Sequence, residues 1–140
     1  MKQLFLTMIT TVFIYGSSLA ATPPASVQKA FITKFPSATK VSWGKEGSKE
    51  WEAEFTFEGS NISANFAENG TWLETERKIK VVDLPKGVAA AIKKTYADWT
   101  ITEADKTETS KHGLIYEVDL KKGTNKKEAA FKEDGTPVAE

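Results

Sequence analysis

Carboxylates are the chemistry-bearing groups this chain spaces most regularly. Glu50, Glu52 and Glu54 fall at every second position, as do Glu74 and Glu76, and Glu117 and Asp119. Two carboxylates on one face could serve as the acid and base of a glycosidase, and Glu52 with Glu54 is the pair to consider. That chemistry needs surroundings that push one pKa up, and an open strand face offers no pocket to do so. His112 is the single histidine and stands beside Gly113 without any cysteine, so a zinc site is not expected. No nucleophile elbow accompanies it, which removes a Ser–His–acid triad. The stretches Glu68-Asn69-Gly70-Thr71 and Glu133-Asp134-Gly135-Thr136 lack the alternating acidic ligands of a calcium loop. No glycine-rich phosphate loop occurs. Lys121, Lys122, Lys126 and Lys127 flank Gly123 and read as charges that keep a strand edge or turn from aggregating. The expectation is no catalytic residue, no metal and no cofactor.

The chain that must position these groups has 140 residues with 19 basic and 19 acidic groups and no cysteine. Lys2, an apolar run from Leu4 to Tyr15 and a small-residue end at Ala20-Ala21 read as a secretory signal peptide over residues 1–20. The run is too short to span a bilayer comfortably. Without Lys2 the remainder carries 18 basic and 19 acidic groups, net −1. That balance argues against nucleic-acid binding. No cysteine follows for a lipid anchor or a disulfide, so a core must stabilise the exported domain, which about 120 residues permit. The expected location is periplasmic or secreted, as a soluble monomer without membrane anchor.

The two halves of the remainder follow one order of residue types. Pro24 to Val27 matches Pro85 to Val88, Phe31 matches Ile92, and Phe35 matches Tyr96. Trp51 to Phe55 matches Tyr116 to Leu120, and Ala64-x-Phe66 matches Ala129-x-Phe131. The offset grows from 61 to 65, which places a longer connection near Thr107–Gly113 in the second half. Units are therefore expected at 21–82 and 83–140. Each opens with a helix. Val27, Phe31 and Phe35 form one apolar stripe with Thr22 as cap, and Leu84, Val88, Ile92 and Tyr96 form the other with Asp83 as cap. Period-two runs follow. Thr39, Val41 and Trp43 point to the core, as do Trp51, Ala53, Phe55 and Phe57. Leu114, Tyr116, Val118 and Leu120 point inward, while Ile115, Glu117 and Asp119 point out. Antiparallel strands with one wet face result.

Asn69-Gly70 and Asp134-Gly135 signal two-residue hairpin turns. In that register Phe66 pairs with Leu73 and Ala67 with Trp72, and Phe131 pairs with Val138. Trp72 then shares the outer face with Glu74, Glu76, Glu52 and Glu54. An exposed tryptophan beside charges is a partner anchor. Trp43 is the rival anchor if the first strand twists at its end.

A signal peptide, two helix-then-strand halves, the Leu84-Pro85 opening, the Tyr116-Glu117-Val118 strand and the Phe-x-x-Asp-Gly hairpin at Phe131–Gly135 together resemble one family. They are similar to exported PepSY-like, β-lactamase-inhibitor-like proteins. The resemblance implies an α+β fold in which two helix-then-four-strand repeats form one curved antiparallel sheet, with helices packed on one face. In the inhibitor relatives the open face grips an enzyme, and PepSY domains are thought to restrain peptidases. The inhibitor's disulfides have no counterpart here, so its target does not carry over. The function expected is an exported, non-enzymatic module that holds a protein partner through Trp72, Glu52, Glu54, Glu74, Glu117 and Asp119. The alternatives are a small-ligand or cation sensor and a weak enzyme.

Overall fold

The computed structural model describes residues 21–139, so the expected signal peptide lies outside the described residues. Helix α1 (Ala25–Lys34) precedes strands β1 (Thr39–Glu46), β2 (Glu50–Phe57), β3 (Ser60–Ala67) and β4 (Trp72–Lys78). A 3-10 turn (Val81–Asp83) leads into α2 (Lys86–Thr95), then β5 (Thr100–Thr109), β6 (Gly113–Lys122), β7 (Asn125–Phe131) and β8 (Pro137–Val138). The strands form one open antiparallel sheet in sequence order.

Both helices begin behind a proline. Pro24 and Pro85 occupy the flanking positions in extended conformation, and neither helix has a side-chain cap. Thr22 and Asp83 are therefore not caps. Asp83 belongs to the 3-10 turn. Gln28 instead turns its amide back to the Pro23 carbonyl at 2.8 Å.

The apolar stripes pack as expected. Val27, Phe31 and Phe35 meet Trp51, Ala53, Phe55, Ile62, Ala64 and Phe66 in a first core. Phe31 stands edge-on to Phe55 with centroids 4.9 Å apart, a geometry that aromatic quadrupoles favour. Leu84, Val88 and Ile92 meet Ala104, Tyr116, Val118, Leu120 and Phe131 in a second core. Strand pairing puts both cores on one side of the sheet. Ala64 lies beside Thr75, Thr75 beside Glu108, and Glu108 shares its strand face with Ala104.

Three expectations fail locally. Lys40 adopts φ 54° and the β1–β2 register shifts between Thr39 and Ser42, so Val41 leaves the core and is 39% exposed. The extra residues near Thr107–Gly113 do not lengthen a loop. They extend β5 and β6 to ten residues each, against eight in β1 and β2. At the tip of that hairpin Leu114 is 41% exposed and Ile115 is 3% exposed, the reverse of the expected burial.

Both Asx-Gly turns have three-residue loops. Ala67 N–H donates to Thr71 O and Gly70 N–H to Ala67 O; Lys132 and Gly135 do the same with Thr136 and Lys132. Only the glycines, at φ +87° and +86°, take positive φ there, which fits a type I turn followed by a glycine bulge. The Asn69 and Asp134 carboxamide and carboxylate oxygens accept the Thr71 and Thr136 N–H groups at 2.9 and 2.8 Å. Each turn presses on the first turn of a helix. A Cβ on Gly70 would stand 2.6 Å from the Ser26 carbonyl oxygen, and one on Gly135 would stand 2.3 Å from that of Gly87.

Candidate functional site

The longer turn loop decides where Trp72 points. With three loop residues, Phe66 pairs with Trp72 instead of Leu73, and Trp72 shares the core side with Phe66. Its ring packs on the first core, the Lys34 ammonium sits 3.8 Å from the ring centroid, and its indole N–H donates to Thr75 Oγ1 at 2.9 Å. Trp72 is therefore not on the outer face. Trp43, the rival, also packs on the first core, with its ring 5.1 Å from Phe31. In the second hairpin Phe131 likewise pairs with Pro137, and Val138 moves to Ala130.

A second irregularity at Leu73 restores the register beyond it. Asn65 pairs with Glu74, Ala64 with Thr75 and Ser63 with Glu76. The glutamates therefore point outward as expected. One row across the open face runs Glu52, Asn65, Glu74, Thr109; the next runs Glu54, Ser63, Glu76, Thr107, Ile115. Further along, Asp105 lies beside Glu117, and Glu103 beside Asp119, which lies beside Glu128. The structure thus brings Glu52, Glu54, Glu74, Glu117 and Asp119 to one face and adds Glu76, Glu46, Glu103 and Asp105.

This face is drier than the wet side of a sheet. Thr107 is 0% exposed and Asn65 is 8% exposed, although no described helix covers them. Burial is the first cause of every upward pKa shift on the face. It pushes Glu52 to about 7, helped by Glu46 and Glu54. Glu74 rises to about 7, with Glu117, Glu50, Glu46 and Glu52 adding repulsion. Glu76 rises to about 8, with Glu74, Glu117, Asp105 and Glu52 adding to burial. Burial also raises Asp105, where Lys78 acts against it, and Asp119, where Glu103 adds and Lys78 and Lys126 oppose. An open sheet was expected to leave Glu52 unperturbed. Crowding of strands and carboxylates raises it without a pocket.

The Asn65 amide reaches Glu46 Oε2 at 3.2 Å and Glu74 Oε1 at 3.3 Å. Thr107 Oγ1 donates to Glu117 Oε2, and Lys78 pairs with Glu103 at the margin. Asn65 and Thr107 escaped the sequence reading because a lone Asn or Thr in a strand carries no periodic signal. Among the described residues no group of three or more His, Cys, Asp or Glu is arranged to hold a metal ion. His112 lies in the β5–β6 turn, where its backbone N–H donates to Thr109 Oγ1 at 2.9 Å.

A BLIP-like protein from Bacteroides fragilis shares 24% identity with this chain and superposes with a TM-score of 0.71, over 84% of each chain. A DUF2874 family protein from Bacteroides ovatus is 23% identical with a TM-score of 0.73, over 84% of this chain and 86% of that one. A protein of Bacteroides eggerthii described as periplasmic is 18% identical with a TM-score of 0.72, over 84% and 87%. At these identities the likeness is one of fold. No curated protein matches the chain. The profile of the beta-lactamase-inhibitor-like, PepSY-like family matches residues 49–136, from the β1–β2 turn to the second Asx-Gly hairpin, and the chain belongs to that family.

Proposed function

We propose that this protein is an exported, non-enzymatic binding module that holds a basic protein partner on the open face of its sheet. The observation that carries this reading is the crowding of Glu52, Glu74 and Glu76 beside Glu46, Glu54, Asp105 and Glu117, where Asn65, Thr107 and Lys78 donate to Glu46, Glu74, Glu117 and Glu103. Carboxylates held half-buried and close together destabilise the free protein, and ammonium or guanidinium groups of a partner relieve that cost. Family membership supports a binding module over an enzyme, and the BLIP-like relative supports an enzyme as the partner restrained. The periplasmic description of the Bacteroides eggerthii protein, together with the sequence of residues 1–20, supports export. No helix among the described residues is long and apolar enough to cross a membrane.

The site residues in this reading are Glu52, Glu54, Glu74, Glu76, Glu117 and Asp119, with Trp72 left out. The test starts from a partner captured by the mature domain from periplasmic extract. Glu52→Gln with Glu74→Gln should slow association about tenfold at low salt and much less at high salt. Hydrogen exchange should show protection of β2, β4 and β6. Protection confined to α1 and α2, with unchanged association, would overturn the reading.

A further inference from the structure

The charges of this molecule are sorted by side. The outer face of the sheet carries the carboxylates described above, with Lys78, Lys121 and Lys126 as the lysines toward its second half. The helices on the opposite side carry Lys29, Lys34, Lys86, Lys93 and Lys94 and no acidic residue in either. Lys29, Lys93 and Lys94 are exposed and form no ion pair among the described residues. Lys106 and Arg77, paired on β5 and β4, lie on the same side of the sheet between the two cores. The acids on this side sit at its margins or in its seam. Glu68 is paired with Lys45 and Asp98 with Lys122; Glu108 pairs with Thr75 in the sheet; Asp83, Glu133 and Asp134 gather at the start of α2. Ile32, on α1 with Lys29 and Lys34, leaves a large apolar side chain 63% exposed. A formal charge near zero therefore hides two opposed fields.

We infer that the helix side is a docking surface for an anionic phospholipid bilayer, which holds the acidic face of the sheet toward the aqueous phase. Three features favour a lipid surface over a discrete anion or an acidic protein. All five helical cations are lysines; Lys34 is held on the Trp72 ring, and the compact heads of the other four suit a diffuse layer of phosphates, while the planar fork that arginine offers to a single phosphate is missing from both helices. Two helices lying on one side of a sheet present a broad surface. Ile32 next to Lys29 and Thr33 gives that surface an apolar residue that can enter the headgroup boundary while lysine stems lie along it. The inference concerns the side opposite the proposed partner site and stands whether or not that site binds a protein.

The test is flotation of the mature domain with vesicles. Vesicles of phosphatidylglycerol and phosphatidylethanolamine should carry the protein at low salt and release it at high salt, and vesicles of phosphatidylcholine alone should not carry it. The triple variant Lys29→Glu, Lys93→Glu, Lys94→Glu should bind the anionic vesicles at least a hundredfold more weakly, since each lysine at such a surface contributes about fivefold. Lys121→Glu, a charge reversal on the outer side, should leave vesicle binding within about twofold of the wild type. Should the triple variant fold poorly, Lys94→Glu alone with Ile32→Ser gives the same comparison. The inference is overturned if the anionic vesicles do not carry the wild type, or if Lys121→Glu weakens binding as much as a helix reversal. It is also overturned if light scattering shows that the helix lysines instead join a second copy through its acidic face, with vesicle binding absent.

Discussion

Trp72 shows how far one residue of turn length reaches. Its identity suggested an anchor for a partner, and its environment makes it part of the first core, roofed by Lys34. Trp72→Ala should therefore cost about 2 kcal/mol of stability, the loss of a half-buried aromatic and its cation contact. Partner association should change only through that loss, which chemical denaturation and kinetics can separate. The raised carboxylates give a second residue-scale expectation. Glu76 has a pKa of about 8 in the fold against an ordinary value of 4.5. Between those two pH values the folded protein holds a proton that the unfolded chain has released, so the contribution of Glu76 to stability is fully present below pH 4.5 and is lost as pH rises to about 8. Glu76→Gln should remove much of that fall and stabilise the protein at pH 8 by about 1–2 kcal/mol, because water at the open face screens the rest. A variant whose stability falls with pH as steeply as the wild type would contradict the assignment.

At the scale of elements, the two Asx-Gly hairpins are clasps as well as turns. Each lays its glycine against the backbone of a helix start, and Ser26 Oγ also donates to the Glu68 carbonyl at 2.7 Å. Gly135→Ala should cost about 2–4 kcal/mol, since the new methyl meets both a positive φ and the Gly87 carbonyl. Gly123→Ala also places a side chain at positive φ, in open space, and should cost only about 1 kcal/mol. Thermal melts of the two variants decide whether contact with the helix matters. The strands are tested by Phe66 and Phe131, which are 0% and 2% exposed in the two cores. Replacing either with alanine should cost about 3–5 kcal/mol.

For the whole molecule, the two cores share no residue among those described, and the sheet runs continuously through both. Between them the helix side presents Thr75, Arg77, Lys106 and Glu108, a polar seam with little apolar area to bind one half to the other. The main-chain ladder of β4 and β5 must carry the coupling. Each half alone holds about 60 residues, a size that buries only about 60% of the surface of its unfolded chain and is marginal for folding alone. We propose that residues 21–82 and 83–140 are two copies of one unit, as the matching apolar stripes and the matching hairpin clasps suggest, and that neither is stable by itself. Residues 21–82 expressed alone should lack a cooperative thermal transition. A sharp melt matching that of the full chain would contradict this.

The order of helices and strands, the two apolar stripes and the outward direction of Glu52, Glu54, Glu117 and Asp119 were legible in the sequence. They follow from local periodicity, and burial of one face enforces that periodicity over whole strands. The side taken by Trp72 and the exposure of Val41 and Leu114 were not legible. They depend on a third loop residue at Gly70, a bulge at Lys40 and the reach of a hairpin past its helix, each set by pairing between distant segments. The raised pKa values of Glu52, Glu74 and Glu76 belong to the same class. Composition shows that the acids exist. Only the alignment of β2, β4, β5 and β6 crowds them together and half-buries them, because the energy of a charge depends on its neighbours in space.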